Sequence, residues 1–170
     1  MKRQTRQRGA TIVESVIVII IVTLIFFGLL QVALLINAKQ ILDYTAYATA
    51  RSKTVGFHDG IVYKAFRVAN IPNAGRMTVP QQGLSSRAQL AVERQRIPWY
   101  LQDIAALHYE NWDYITFSYP VLGDNYLAVT TQQPYPMAMP FHQLFYARDY
   151  VWLEGRAGME NHYPYFLQRP

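Results

Sequence analysis

Apolar and polar residues are spread unevenly along the chain, and their spacing predicts most of its elements. From Ser15 to Ala38 run 24 residues with no Asp, Glu, Lys or Arg. Before them stand Glu14 and a leader, Met1 to Gly9, that holds four cations and no anion. At about 1.5 Å per residue the uncharged run reaches roughly 36 Å as a helix, enough to cross a hydrocarbon core of about 30 Å with some tilt. Cations flanking a span resist translocation, so the leader is expected in the cytoplasm and everything beyond Lys39 outside. The apolar run is too long for a cleaved secretory signal, whose core has about 7 to 15 residues with a small-x-small site directly behind it.

Past the span, Ala38, Ile41, Leu42, Thr45, Ala48 and Thr49 recur at helical spacing, which carries the helix to about Val55 with Gly56 as its stop. Ala33, Ala38, Ala46, Ala48 and Ala50 let helices approach closely. Such a stripe suits lateral packing of many stems, or reception of the chain's own head, on different faces.

Beyond Gly56 the pattern is α+β. Asp59 is expected to cap a short helix with Val62, Ala65, Phe66 and Ala69 on one side, ending before Ile71-Pro72-Asn73. Residues Gly75 to Leu84 carry turn chemistry and little periodicity. Ser86-Arg87-Ala88-Gln89 reads as a capping box opening a helix that Pro98 ends or restarts, with Leu101, Ile104, Ala105 and His108 on a second apolar face. Tyr114 to Tyr119 and Tyr126 to Thr131 then read as strands joined through the turn-rich Pro120 to Asn125, and Tyr150 to Ala157 as a third. Pro134, Pro136 and Pro140 make the stretch from Gln133 a loop or an extended edge. The expected architecture is a basic leader (1–9), a transmembrane and stem helix (10–55) and an extracytoplasmic α+β head with an antiparallel sheet (56–170).

Charge changes little in this picture once it is located. Four of the 16 Lys and Arg lie in the leader, so the remainder carries 12 cations against 11 anions. The pI near 9.5 is therefore mostly a targeting property, and no basic run interleaves with aromatics to mark a nucleic-acid site. Arg87, Arg94 and Arg96 read as a solvated helix face. The chain has no cysteine, which excludes disulfides and thiolate zinc sites. All 13 tyrosines follow the span, ten of them from Tyr100 on, with Trp99, Trp112 and Trp152. They suit either a partly wet docking surface or half-buried strand positions.

Candidate chemistry is sparse. His58, His108, His142 and His162 are far apart, with no His-Glu-x-x-His or Gly-x-Ser-x-Gly. No catalytic residue, cofactor or metal ligand is assigned. Glu14 is the exception, because a carboxylate at the edge of a bilayer needs a partner or must reach the headgroups. A cut after Gly9 would create a cationic amino group on Ala10 about 6 Å along the axis from Glu14, or beside the Glu14 of a neighbouring subunit. Either charge alone is costly at low dielectric, and together they would set axial register.

Gly9-Ala10-Thr11-Ile12-Val13-Glu14 resembles the class III prepilin cleavage motif of type IV pilins and pseudopilins. Phe27-Gly28 followed by Ala38-Lys39-Gln40-Ile41-Leu42-Asp43-Tyr44-Thr45-Ala46-Tyr47-Ala48-Thr49-Ala50-Arg51 is similar to the TadE-like pseudopilins of tight-adherence (Tad/Flp) pilus systems. The resemblance covers about the first 51 residues. Ser15, Ile20 and Gln31 depart from it, standing where such proteins often have an aromatic, a proline and an acidic residue. It implies cleavage between Gly9 and Ala10 by a prepilin peptidase, with Glu14 in the family's glutamate position. The implied partners are that peptidase, other pilin or pseudopilin subunits, the inner-membrane assembly machinery and the lipid bilayer. The implied location is the inner membrane or a pilus. The alternative is an unprocessed single-pass anchor whose aromatic head binds a partner.

Overall fold

One helix dominates the backbone. α1 runs Gln4–Thr54, 51 residues, or about 75 Å of axis. The computed structural model describes residues 4–80, 86–118, 121–122, 126–140, 142–144 and 147–160. His162 and most of the expected 120–125 connection lie outside them. Among the described residues α1 is the one helix long and apolar enough to cross a membrane.

The surface of α1 changes character along its length. Between Ile12 and Leu29 large apolar side chains such as Ile12, Val16, Ile19, Val22, Ile25 and Leu29 are exposed all round the helix, a surface that lipid solvates and water does not. Between Ala38 and Ala50 burial contracts to one stripe, Ala38, Leu42, Thr45, Ala46, Thr49 and Ala50, the spacing of a helix laid against protein. Thr45 and Thr49 enter that stripe because their hydroxyls bond back to the carbonyls of Ile41 (2.8 Å) and Thr45 (2.7 Å). Gly56, at φ +95°, ends the helix. Its N–H donates to the Lys53 carbonyl (3.0 Å) and that of Phe57 to Ser52 (3.3 Å), the paired bonds of a glycine-closed terminus.

The chain forms two compact units: the stem as far as Ile36 with Pro136–Val151, and Asn37–Tyr135 with the chain from Trp152 on. In the second unit, α2 (Asp59–Ala69) buries Val62 and Phe66 as expected, and also Arg67. Its cap is His58 rather than Asp59. His58 Nδ1 accepts from the Gly60 N–H at 2.9 Å, while Asp59 opens the helix and pairs with Lys53. α3 (Ser86–Gln102) carries Pro98 inside it, and the Gln89 amide donates forward to Glu93 (3.2 Å).

Two expectations are corrected here. Leu101, Ile104 and Ala105 are exposed, and the buried residues of this region are Tyr100, Leu107 and Tyr109. After Gln102 the α-helix gives way to a single 3-10 turn, Ile104–Ala106, so α-helical spacing no longer decides which side chains turn inward. Within the stretch read as a loop, β1 (Met77–Val79) pairs antiparallel with β2 (His108–Tyr109). A ribbon of two or three residues has too few positions to show a period, and tertiary packing makes it. The Glu110 and Asn111 N–H groups donate to the carbonyls of Arg76 (3.0 Å) and Ala74 (2.9 Å).

The second sheet is antiparallel. β3 (Thr116–Ser118) and the short β4 (Val121–Leu122) both pair with β5 (Tyr126–Pro136), which also pairs with β6 (Tyr150–Glu160). Phe117 lies opposite Thr131, and Leu122 opposite Tyr126. β5 therefore continues through Pro134, five residues beyond the expected end at Thr131. Alternation along it turns Leu127, Val129, Thr131 and Gln133 inward.

The sheet meets the stem within unit two through carbonyls that α1 exposes to it. Thr131 Oγ1 donates to the Leu42 carbonyl (3.1 Å), Asn73 Nδ2 to that of Ala38 (2.8 Å), and the Arg156 N–H to Asp43 (3.2 Å). Leu42 joins Phe66, Tyr100, Leu107, Tyr109 and Trp112 in one core cluster, while Ala46 and Ala50 meet Leu127 and Val129 in another. Gly155 lets β6 touch the helix backbone, because a Cβ there would fall on the Leu42 carbonyl group and the Asp43 nitrogen. Gly155→Val should therefore destabilise the fold by about 3 kcal/mol, whereas Gly28→Ala, which meets nothing within 4 Å, should change it by less than about 1 kcal/mol. Denaturant unfolding of the full chain in detergent, read from tryptophan fluorescence, measures both.

Candidate functional site

The residues singled out from sequence lie in the first turns of α1. Gly9, Ala10 and Glu14 all have helical backbone. Glu14 is exposed, and its carboxylate has no hydrogen-bond or ion-pair partner among the described residues. The neighbouring hydroxyls are self-sufficient: Ser15 Oγ donates to the Thr11 carbonyl (2.8 Å) and Thr23 Oγ1 to Ile19 (2.7 Å). Glu14 is thus the polar group of this stretch that looks outward for a partner.

Sequence reasoning missed a second polar residue in the span. Gln31 is buried, and its Oε1 accepts the Met139 N–H at 3.0 Å. Around it Leu24, Phe27, Gly28, Val32 and Leu35 face Met137, Met139 and Pro140 across an apolar groove of about 210 Å³. An amide inside a charge-free run was the available signal, but nothing local says which backbone it meets. His142 pins the same segment. Its Nδ1 lies 3.0 Å from the Met139 carbonyl and its Nε2 3.1 Å from Asp149.

Histidines and carboxylates elsewhere have structural settings. Arg67 is inserted between Tyr63 and Trp112, 4.7 Å and 5.2 Å from their ring centres, and bonds Asp113 at 3.0 Å. His108 bridges Thr78 (3.1 Å) and Asp113 (3.4 Å). Burial pushes the Tyr100 phenol above its ordinary range, against the pull of Arg67. Burial and the bond to Glu93 do the same to Tyr109. Among the described residues no group of three or more His, Cys, Asp or Glu is placed to hold a metal ion. Aromatic rings divide between two settings, with Tyr100, Tyr109 and Trp112 in the core and Tyr44, Tyr47, Tyr114, Tyr126, Tyr150, Trp99 and Trp152 exposed.

The Met139 carbonyl and then Asp149 both favour charged His142, so its pKa is raised. Its contribution is fully present below about pH 6.5, the unfolded value, and fades as pH rises through the higher folded value. Proton NMR of the imidazole should give a midpoint above about 6.5, falling in Asp149→Asn; a midpoint unmoved by that change would remove Asp149 from the account. Asp113 is largely exposed, so Asp113→Asn should cost under about 1 kcal/mol. Arg67→Ala removes two ring contacts and a buried stem and should cost about 2 to 4 kcal/mol, by the same unfolding measurement.

Neither the curated proteins nor the solved structures contain a significant match to the chain. The family models do, over the segment that carries Gly9, Glu14, Gln31 and the buried alanine stripe. Residues 9–51 match the family described as TadE-like protein, and over that segment this chain is TadE-like.

Proposed function

We propose that the protein is a pseudopilin or minor pilin of a Tad-type pilus, a substrate of a prepilin peptidase and not itself an enzyme. In this reading residues 1–9 are a leader cut from Ala10, residues 10–55 are the stem, and residues 56–170 are the extracytoplasmic head. The processed chain sits in the inner membrane and joins other pilin or pseudopilin subunits in assembly or adhesion. The observation that carries the reading is a single helix, Gln4–Thr54, that is TadE-like over residues 9–51 and keeps an apolar surface exposed from Ile12 to Leu29. Such a surface is stable in lipid or against other stems, and one unpartnered carboxylate at its start fits a subunit that passes from the first to the second. Glu14 then meets the amino group of Ala10, in its own chain or a neighbour's, and fixes how far one stem slides along the next.

One observation favours the alternative of an uncut single-pass anchor. α1 passes through Gly9 and Ala10 without a break, so the bond must leave the helix before a peptidase can take it. Helix ends open at little cost, and glycine lowers it further.

Intact-mass measurement on protein from cells with and without the peptidase should differ by residues 1–9, and an unchanged mass would support the anchor. Glu14→Ala should be cut normally yet assemble poorly, seen as loss of the protein from sheared pili at unchanged membrane levels. Normal pili containing that variant would remove the register role.

A further inference from the structure

We propose that residues 136–140 are a second membrane-contacting element, seated among the acyl chains at the hydrocarbon edge of the leaflet nearest Lys39. The inference rests on α1 crossing a bilayer and is independent of whether the leader is cut.

Depth comes first. Met139 bonds Gln31, and the groove it shares with the stem reaches Leu24 and Phe27, so these residues share the depth of the stem at residues 24–35. If the hydrocarbon core coincides with the uncharged run 15–38, Gln31 lies about 10 Å inside it. If about 30 Å of core begins at Thr11, it ends near Gln31, with Leu24 still about 10 Å below. Either placement puts the groove in or at the edge of lipid.

Composition agrees. From Asn125 to Ala147 the chain has 23 residues without Asp, Glu, Lys or Arg, and the tip is Pro136-Met137-Ala138-Met139-Pro140. Pro136, Ala138 and Pro140 turn outward, while Met137 and Met139 are half-buried. The first charges return at Arg148 and Asp149, both exposed, and Asp149 reaches the tip through the Met137 N–H and His142, which holds the segment at the hydrocarbon edge and not deep within it.

Hydrocarbon offers no hydrogen bonds, so a non-helical segment survives there only when its own polar groups are satisfied. Pro136 and Pro140 have no N–H to satisfy. Met137 N–H donates to the Asp149 carbonyl (2.8 Å), Met139 N–H to Gln31 (3.0 Å), and the Met139 carbonyl meets His142 (3.0 Å). Ala138 is the remaining backbone donor of the five, and beside it Gln31 Nε2 is a buried donor with no partner among the described residues. A water-exposed loop has no need of such provision. Lipid chains are then the occupant of the groove, which is lined mostly by aliphatic, aromatic and thioether groups, with the Gln31 amide and the His142 imidazole as its two polar members.

The chain has no cysteine, so single cysteines can be placed without altering its background. Spin labels at Ala138→Cys, and separately at Met137→Cys, would be examined in the full chain in phosphatidylcholine–phosphatidylglycerol vesicles, with Val32→Cys on the stem and exposed Gln132→Cys as references. The expected result is that the 137 and 138 labels match Val32, colliding readily with oxygen and several-fold less than Gln132 with a water-soluble nickel complex. Nickel accessibility at 137 and 138 equal to that at Gln132, with Val32 shielded, would overturn the proposal and leave the span intact. Water access at Val32 as well would overturn both. Shielding from both reagents that disappears when the protein is diluted in lipid would overturn it in favour of a second copy's stem in the groove.

Discussion

A single α-helix here has to satisfy two surroundings in succession, and the rest of the structure follows from where it changes over. From Ile12 to Ile21 its apolar side chains point in all directions and are exposed, which only lipid or a sheath of like helices tolerates, and between Leu24 and Leu35 one side is covered by residues 137–140. From Ala38 on it keeps one buried stripe, with Lys39 and Asp43 at its margin, paired with each other and bonded to β6 through the Glu154 carbonyl and the Arg156 N–H. The continuous buried stripe begins beside the first charge after the span, Lys39, while the 137–140 segment already covers one side of the stem nearer its middle.

Small and hydroxylated residues make the second half possible. Ala38, Ala46 and Ala50 bring the helix axis close to the sheet, and the threonines between them bury hydroxyls by bonding to their own helix. Closeness exposes helix carbonyls to the partner, and Asn73 and Thr131 supply the donors. The alanines that looked available for contacts between stems are therefore largely used within the chain. The apolar surface that stays uncovered by the chain itself is the β-branched one nearer Glu14.

Long periodic segments were legible in the sequence. The span, the helix stop at Gly56, the short helix with Val62 and Phe66, the antiparallel strands near residues 116–131 and the strand from Tyr150 are all found, because each repeats its signal over several turns or alternations. What escaped depended on a partner far along the chain. The ribbon of Met77–Val79 with His108–Tyr109 is two or three residues on each side, and the burial of Arg67 requires Tyr63, Trp112 and Asp113 to converge. Of the candidate site, Gly9, Ala10 and Glu14 could be singled out because they form a local motif. Gln31 could be noticed as an oddity, but its meeting with Met139, 108 positions away, left no mark in either neighbourhood.

The bare backbone contact at Gly155 has a mechanical consequence. Within about two turns of α1, the carbonyls of Ala38 and Leu42 and the carboxylate of Asp43 are each held by a different part of the second unit, and β6 touches the helix between them. Ties that run crosswise to the helix are sheared together by a pull along its axis, and share the load instead of parting in turn. The same patch would peel readily under a force directed away from the helix, so the joint resists load along the stem better than load across it.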